Sequence, residues 1–281
     1  MTMDELEMKL AVRHIVDGLL RKMKGFNSGG VFFFLGAGFS MRLPGEQLGV
    51  GSAKVIAKEL AEQVGLEDED NLLRLSEYIE VVRDKKALIG MVKEHIDNNY
   101  CIKESHKMMS EILKVMNEPR ELLFSANYDT FIEDYYFSTY NKHIQTWHYN
   151  DEFSNDKTLY KIHGCINSES NIVLTSEDFY KVRTHDALMK RLFSIMRENT
   201  CVFIGFSLED QDLLDLLFSI RALNENIGQQ KHYIVIPDGG MNKYRLKYLK
   251  EKFNIEHIAL GRDEILQRVL EDLKKKVMMR E

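Results

Sequence analysis

Short apolar segments alternate with amphipathic helical patterns along most of the 281-residue sequence. The apolar segments include "VFFFL", "ELLF", "TCVFI" and "HYIVI", and each is bounded by residues typical of turns. Strands that are apolar along their whole length are buried on both faces, and the helices between them form the crossovers of a parallel sheet. The pattern therefore predicts an α/β fold, with a doubly wound, Rossmann-like, mostly parallel sheet.

The helical patterns predict how the rest of the chain is organised. Residues 1–25 contain an amphipathic helix, and residues 52–117 form a small helical module within a single domain of residues 1–281. Ser52 is the predicted N-cap of the first helix of this module. A further strand is predicted at "NIVL", directly before a helix. The apolar residues of the N-terminal helix recur at helical spacing: Leu6, Leu10, Ile15, Leu19 and Met23.

Composition excludes several classes of protein. A formal net charge of −6 is unfavourable for non-specific nucleic-acid binding. The three cysteines, Cys101, Cys165 and Cys201, form no C-x-x-C pair, so we expect neither a disulfide framework nor a zinc site. No apolar run approaches the length of a membrane span, and the acidic N-terminus lacks a signal-peptide pattern. We therefore expect a cytoplasmic protein that binds no metal, no membrane and no nucleic acid.

Polar or glycine-rich segments follow four of the predicted strands. They are residues 36–40 ("GAGFS"), 125–129 ("SANYD"), 163–164 ("HG") and 205–212 ("GFSLEDQD"). In open parallel sheets, ligands bind at the carboxyl ends of the strands. Any one of these segments is accounted for by a turn or a helix cap, but four at one edge of one sheet predict a binding site.

The first segment resembles a phosphate-binding loop. Gly36 and Gly38 match the first two glycines of the dinucleotide fingerprint G-x-G-x-x-G, but Met41 occupies the third position. This departure argues against an ordinary dehydrogenase. The loop is still expected to offer free N–H groups, together with the Ser40 hydroxyl, to a pyrophosphate.

The second segment carries an amide and a carboxylate. Asn127 both donates and accepts hydrogen bonds, so it can bind a ribose hydroxyl or position a water molecule. Asp129 can accept from a carboxamide N–H or cap the helix that follows, and the sequence leaves both alternatives open.

The remaining two segments suggest a base and a second ribose contact. His163 follows a strand and precedes Gly164, and its ordinary pKa suits a general base. His148 and His185 lack such a context and are interpreted as surface or structural residues. Gly205 and Ser207 are candidates to receive a ribose hydroxyl. Asp210 and Asp212 are alternatively first-turn acids of the next helix.

The four segments, in this order and at about this spacing, resemble the sirtuin-like domain. More narrowly, they resemble the NAD-cleaving sirtuin-like effectors of bacterial anti-phage defence. The resemblance covers about residues 12–260. It implies an NAD-binding doubly wound sheet with a small inserted helical module.

The resemblance also implies roles for individual residues. Gly36, Ala37, Gly38 and Ser40 would contact the phosphates of NAD. Asn127 would hold the nicotinamide ribose or a water, and His163 would be the essential histidine. Asp129 would contact the nicotinamide carboxamide. The adenosine side of NAD would lie against Gly205 and Ser207.

The function implied by this resemblance is an NAD+ glycohydrolase that releases nicotinamide and ADP-ribose, with cyclisation of ADP-ribose as a possible variant. One alternative is a protein deacylase, although deacylating sirtuins carry a zinc ribbon of two C-x-x-C pairs that this sequence lacks. A second alternative is a non-catalytic NAD or ADP-ribose sensor. Retention of both Asn127 and His163 argues against the sensor, which needs neither.

Regulation is expected because an unrestrained NAD hydrolase would drain the cofactor of its host. We expect control through self-association into a homo-oligomer, or through a regulatory or phage-derived protein partner. The N-terminal amphipathic helix is a candidate surface for such contacts, and packing within its own domain is the alternative for this helix.

Overall fold

Seven parallel strands form one sheet in the computed structural model of the protein, which describes residues 3–26, 28–43, 45–66, 69–168, 172–208, 211–223 and 230–279. The strands lie in the order β3-β4-β2-β1-β5-β6-β7. Their bounds are β1 Val31–Leu35, β2 Leu123–Ser125, β3 Thr146–His148, β4 Leu159–Lys161, β5 Thr200–Ile204, β6 His232–Val235 and β7 Ile255–Ile258. Every pair of neighbouring strands runs parallel, which confirms the predicted fold class.

Helices connect the strands, as the alternating pattern predicts. Within the described ranges they are α1 Met3–Met23, α2 Ala53–Val64, α3 Leu72–Val82, α4 Lys85–Asn98, α5 Glu104–Val115, α6 Phe131–Tyr140, α7 Ser176–Arg183, α8 Asp186–Glu198, α9 Gln211–Leu223, α10 Lys243–Phe253 and α11 Arg262–Met278. A short 3-10 turn, Ala37–Phe39, follows β1. Ser52 caps α2 as predicted, because its side chain accepts a hydrogen bond from the N–H of Val55 at 3.3 Å.

The sheet is covered on both faces. Alternate side chains of β1 point to opposite faces, so Val31, Phe33 and Leu35 join one apolar cluster while Phe32 and Phe34 join another. The first cluster contains residues of α1, α5, α6 and α11, and the second contains residues of α7, α8, α9 and α10. This two-sided covering defines a doubly wound sheet and explains why the central strand β1 is apolar throughout.

Helices α2, α3 and α4 share a third apolar cluster. Buried residues of the three helices, among them Leu60, Leu75 and Leu88, pack with Phe131 of α6 and with Ile172 and Leu174. These three helices therefore pack against segments that follow β2 and β4, rather than against either face of the sheet.

Two features of the chain differ from prediction. The "NIVL" segment is not a strand: its described residues 172–174 have no regular structure, although all three are buried. In α1, Ile15 and Leu19 are buried, as expected for the apolar face, but Leu6, Leu10 and Met23 are 42%, 55% and 40% exposed. The buried face of α1 is formed instead by Ala11, Val12, Ile15, Val16, Leu19 and Leu20, which pack on the sheet.

The topological switch point of the sheet lies at β1. The chain first builds the sheet on one side of β1 through β2, β3 and β4, and then crosses to the other side, where β5 is the neighbour of β1. The loops that follow β1 and β5 contact each other at the carboxyl ends of these two strands. The N–H of Gly36 donates to Ile204 O at 3.0 Å, and the N–H of Gly38 donates to Gly205 O at 2.9 Å.

Glycine is required where these two loops touch. A Cβ on Gly38 would lie 2.8 Å from Gly205 Cα, and a Cβ on Gly36 would lie 2.4 Å from the ring of Phe206. Gly205 also has a φ of +71°, which L-residues with a side chain rarely adopt, and its Cβ would lie 2.2 Å from the nitrogen of Phe39.

We expect Gly205→Ala to lower the free energy of unfolding by at least about 3 kcal/mol, because it adds a clash to the left-handed backbone strain of about 1–2 kcal/mol. Gly65→Ala is the matched control, since Gly65 has a φ of +74° but a Cβ there would meet no atom within 4 Å. Urea unfolding of both variants measures the difference. Equal losses in the two variants would contradict the proposed contact between the loops.

Candidate functional site

The four predicted segments follow four consecutive strands of the sheet. In chain order they follow β1, β2, β4 and β5, and in space these strands lie side by side as β4-β2-β1-β5. The backbone continues this alignment beyond the strands, since Ala126 N–H donates to Leu35 O and Ile162 N–H donates to Ser125 O, both at 3.0 Å. The segments therefore share the carboxyl edge of the sheet around its switch point, which is where ligands bind in this architecture.

The glycine loop differs from the expected phosphate cradle. The prediction of free N–H groups is wrong for Gly36 and Gly38, because both donate to the backbone after β5, and for Ser40, whose N–H donates to Ala37 O at 3.2 Å. Ala37 is exposed, and its N–H has no acceptor among the described residues. The glycines thus serve the contact between the loops, and the Ala37 N–H faces the surface at the end of β1.

Arg262, at the start of α11, supports the glycine loop from within the protein. Its guanidinium is buried and donates to Gly38 O at 2.5 Å and Met41 O at 2.9 Å. Burial lowers the pKa of Arg262, while Asp263 and Glu46 oppose this effect. The side chain fixes the carbonyl groups of the loop and so sets the position of Ser40 between them.

Ser40, Asn127 and Asp129 line one small cavity. Its volume is about 10 Å³, which is room for about one water molecule. Asn127 Nδ2 donates to Ser40 Oγ at 3.4 Å, and Ser40 Oγ lies 3.1 Å from His106 Nε2. The three predicted residues are buried together with His106, so this part of the site is shielded from solvent.

Asp129 also contacts the helix that follows it. Its Oδ1 accepts from the N–H of Phe131 at 3.4 Å, close to the start of α6. This contact supports the capping alternative for Asp129. The contact with a carboxamide stays a prediction.

A buried lysine ties the Asn127 segment to β4. Lys161, 2% exposed, donates to Asp129 O, and its Nζ lies 3.6 Å from Glu133 Oε1. Burial alone would lower the pKa of Lys161, but Glu133 and Asp129 hold that pKa above its ordinary value. Burial also raises the pKa of Glu133, an effect that Lys161 partly offsets. The charged lysine therefore holds the backbone at Asp129 in place from within the protein.

His163 and Asn127 follow neighbouring strands at the same edge of the sheet. Ser125 is paired with Lys161 between β2 and β4, and Asn127 and His163 each follow their paired residue by two positions. The ring of His163 is 5.0 Å from that of Phe179 in an edge-to-face arrangement, and His163 O accepts from Val173 N–H at 3.0 Å. His163 is 8% exposed, so it lies at the boundary between the interior and the surface of this edge.

The loop after β5 is the more open part of the site. Ser207 is exposed, Gly205 is partly buried, and the next residue, Leu208, is buried with a φ of +54°. Asp210 lies outside the described residues, as does the side chain of Asp212. His185 has a structural role, since its Nδ1 accepts from Leu188 N–H at 3.3 Å at the start of α8.

Sequence reasoning missed His106, Lys161, Glu133 and Arg262. His106 and Arg262 are far in sequence from the loop they contact, and neither belongs to a recognisable motif. Lys161 belongs to "LYKIHG", and its position at the end of an apolar strand, two residues before His163, was a signal that could have been used.

Together, the doubly wound sheet and the polar residues gathered at its switch point define an α/β protein of the class that binds ligands at the carboxyl edge of its sheet. Residues 121–258 match the SIR2-like domain. This match covers slightly less than half of the chain and confirms the resemblance predicted from the motifs. The match includes Asn127, Asp129, His163, Gly205 and Ser207, while the glycine loop precedes it.

Three curated relatives extend the similarity. Each is named NAD(+) hydrolase ThsA. The protein from Bacillus cereus (strain MSX-D12) is 25% identical over an alignment of 278 residues, and the alignment covers 87% of this chain and 55% of the relative. The Cytobacillus dafuensis protein is 26% identical over an alignment of 234 residues, which covers 79% of this chain and 44% of the relative. The Enterococcus faecium protein is 28% identical over an alignment of 246 residues, which covers 83% of this chain and 46% of the relative. The chain spans about half the length of these relatives.

The lengths of the helices and the grouping of polar side chains bear on membrane spanning and metal binding. None of the helices in the described ranges is both long and apolar enough to span a bilayer. The same part of the chain holds no group of three or more His, Cys, Asp or Glu side chains arranged to bind a metal ion. The three cysteines are free thiols.

We expect stability to fall as the pH is lowered from 6.5 towards 4. Burial lowers the pKa of His106 and of His232 to about 4, whereas a histidine in the unfolded chain titrates near 6.5. The unfolded state therefore takes up protons first, and each histidine costs about 1.4 kcal/mol of unfolding free energy per pH unit in this window. The stability is fully present above pH 6.5.

Urea unfolding between pH 7.5 and 4.5 measures this effect. His232→Gln removes one of the two contributions and should reduce the pH dependence, whereas His143→Gln, at an exposed position, should leave it unchanged. An identical pH dependence in wild type and His232→Gln would contradict the prediction.

Proposed function

We propose that the chain is an NAD+ glycohydrolase that cleaves the bond between nicotinamide and ribose. The observation that carries the proposal is that Asn127 and His163 follow the neighbouring strands β2 and β4, each two residues beyond a paired position, at the carboxyl edge of the sheet. The names of the three relatives support the same reaction. NAD would be the substrate, and no metal is assigned a role.

In the proposed reaction, the bond from ribose C1′ to the nicotinamide nitrogen breaks and its electron pair stays on nicotinamide. This leaves an oxocarbenium-like ribose, to which the oxygen of a water molecule adds. Asn127 holds the ribose and the water, and His163 accepts the released proton directly or through a ribose hydroxyl. The products are nicotinamide, ADP-ribose and one proton. Intramolecular attack on the same cation would give cyclic ADP-ribose.

The remaining site residues are assigned to the ends of the dinucleotide. Ala37 N–H and the Ser40 hydroxyl would contact the pyrophosphate, on a loop whose shape depends on Gly36 and Gly38. Asp129 would bind the carboxamide of nicotinamide at the buried end of the site. Gly205 and Ser207 would face the adenosine side at the exposed end. We further propose that NAD depletion serves anti-phage defence, as the resemblance implies.

We expect His163→Ala and Asn127→Ala each to lower NAD cleavage by roughly 10²–10⁴-fold while the protein stays folded, because the first removes the proposed general base and the second the group that holds the ribose and the water. Chromatography of nicotinamide, ADP-ribose and cyclic ADP-ribose measures the rate and identifies the product. His148→Ala is the control, a histidine of the edge strand β3. Wild-type turnover in folded His163→Ala would contradict the mechanism. Release of an acyl group from acyl-lysine peptides would favour a deacylase.

We also propose that activity is controlled by self-association or by a protein partner. The buried face of α1 packs on the sheet of its own chain, so that face does not supply the contact. We expect specific activity to rise with protein concentration as oligomers form, or on addition of the partner. Light scattering and NAD turnover should be measured on the same samples. Full specific activity in a strictly monomeric sample without a partner would rule out this form of control.

A further inference from the structure

His106 lies beside the site but belongs to none of the four segments that form it. It lies in the first turn of α5 and is fully buried, at 0% exposure. Its ring packs edge-to-face against Phe39, at 5.3 Å, and against Phe131, also at 5.3 Å. These contacts hold the ring between the glycine loop and the start of α6, so its two nitrogens have fixed directions.

Hydrogen bonding assigns the tautomer of His106. The backbone N–H of Lys103 donates to His106 Nδ1 at 2.9 Å, so Nδ1 carries no proton. Burial lowers the pKa of His106 to about 4, so the ring is neutral near pH 7. A neutral imidazole has one N–H, which must then be at Nε2. His106 Nε2–H therefore donates to Ser40 Oγ, 3.1 Å away.

This bond fixes the position of the Ser40 oxygen to which Asn127 donates. A hydroxyl oxygen accepts two hydrogen bonds and donates one. One lone pair of Ser40 Oγ accepts from His106, and the other accepts from Asn127 Nδ2 at 3.4 Å. With its nitrogen turned to Ser40, the Asn127 amide presents its oxygen in the other direction. That oxygen is the acceptor that a ribose hydroxyl or a water needs.

We propose that His106 is a positioning residue, which sets the amide orientation of Asn127 by donating to Ser40. The inference rests on the proposed function, in which Asn127 holds the ribose and the water. Without the His106 donor, the Ser40 side chain is free to rotate, so Asn127 Nδ2 loses an acceptor that is held in place. The Asn127 amide is then free to turn, which withdraws its oxygen from the substrate.

The competing explanation is that His106 only caps α5 through Nδ1. Two substitutions separate these roles. The side-chain amide nitrogen of His106→Gln can replace the Nε2–H donor, whereas His106→Leu has no donor. The amide oxygen of His106→Gln can also accept from Lys103 N–H, so a capping role alone predicts that only His106→Leu loses stability, with the Asn127 amide unchanged in both variants. Met109→Leu is the packing control, a fully buried residue of the same helix.

We expect His106→Leu to lower kcat for NAD cleavage by about 10–100-fold, a typical effect of misplacing a reacting group, with a smaller change in KM. His106→Gln should recover most of the loss, and Met109→Leu should match wild type. Ser40→Ala/His106→Leu should be no slower than Ser40→Ala, because both changes break one chain of hydrogen bonds. Equal kcat in folded His106→Leu and His106→Gln would overturn the proposal.

A measurement without turnover separates this inference from the proposed function. In ¹⁵N NMR spectra of the wild-type protein, we expect His106 to show the Nε2–H tautomer. The side-chain amide signal of Asn127, assigned by its loss in Asn127→Asp, should shift in His106→Leu and stay near its wild-type position in His106→Gln. An Nδ1–H tautomer, or an Asn127 signal unmoved by His106→Leu, overturns the positioning role. Absence of NAD cleavage by the wild type, with these signals as expected, overturns the glycohydrolase proposal alone.

Discussion

The central strand β1 is the constraint on which the rest of the structure depends. Within the described sheet, the later strands were added to both edges of β1: β2 pairs with one edge and β5 with the other. Its five residues are buried, and they alternate between the two apolar clusters. Strands cover both edges of β1 and helices cover both faces. The chain that leaves β1 therefore continues beyond the carboxyl edge of the sheet. The glycine loop therefore emerges at the switch point, against the loop that follows β5.

The polar residues of the site are held by groups that lie behind them. A buried polar group costs free energy unless it is hydrogen-bonded, so each side chain at this edge needs a partner. Helix α5 supplies His106 to Ser40, strand β4 supplies Lys161 to the backbone of Asp129, and helix α11 supplies Arg262 to the glycine loop. These contacts arise from three different elements. The site is thereby fixed to both the sheet and the helices that cover it.

Burial differs between the two ends of the site, and this difference suits the proposed reaction. Asn127, Asp129 and His163 are each less than 10% exposed, whereas Ser207 is exposed. Bond cleavage is assigned to the shielded end, where hydrogen bonds to a developing charge are strongest and stray water is excluded. The exposed end is assigned to the adenosine side, which takes no part in bond breaking.

The sequence by itself determined the parallel sheet, its covering helices and the four segments at its carboxyl edge, because apolar runs, helical periodicity and strand-end motifs are local signals. It also identified Asn127 and His163 as a candidate pair, although only the pairing of β2 with β4 showed that they follow neighbouring strands. The tertiary structure alone decided that Gly36 and Gly38 donate to the backbone after β5, and that the buried "NIVL" segment is not a strand. It likewise decided that His106 and Arg262 reach the glycine loop, from 66 and 224 residues away in their contacts with Ser40 and Gly38. The reason is physical: burial and hydrogen-bond partners are set by segments that meet only when the sheet is assembled.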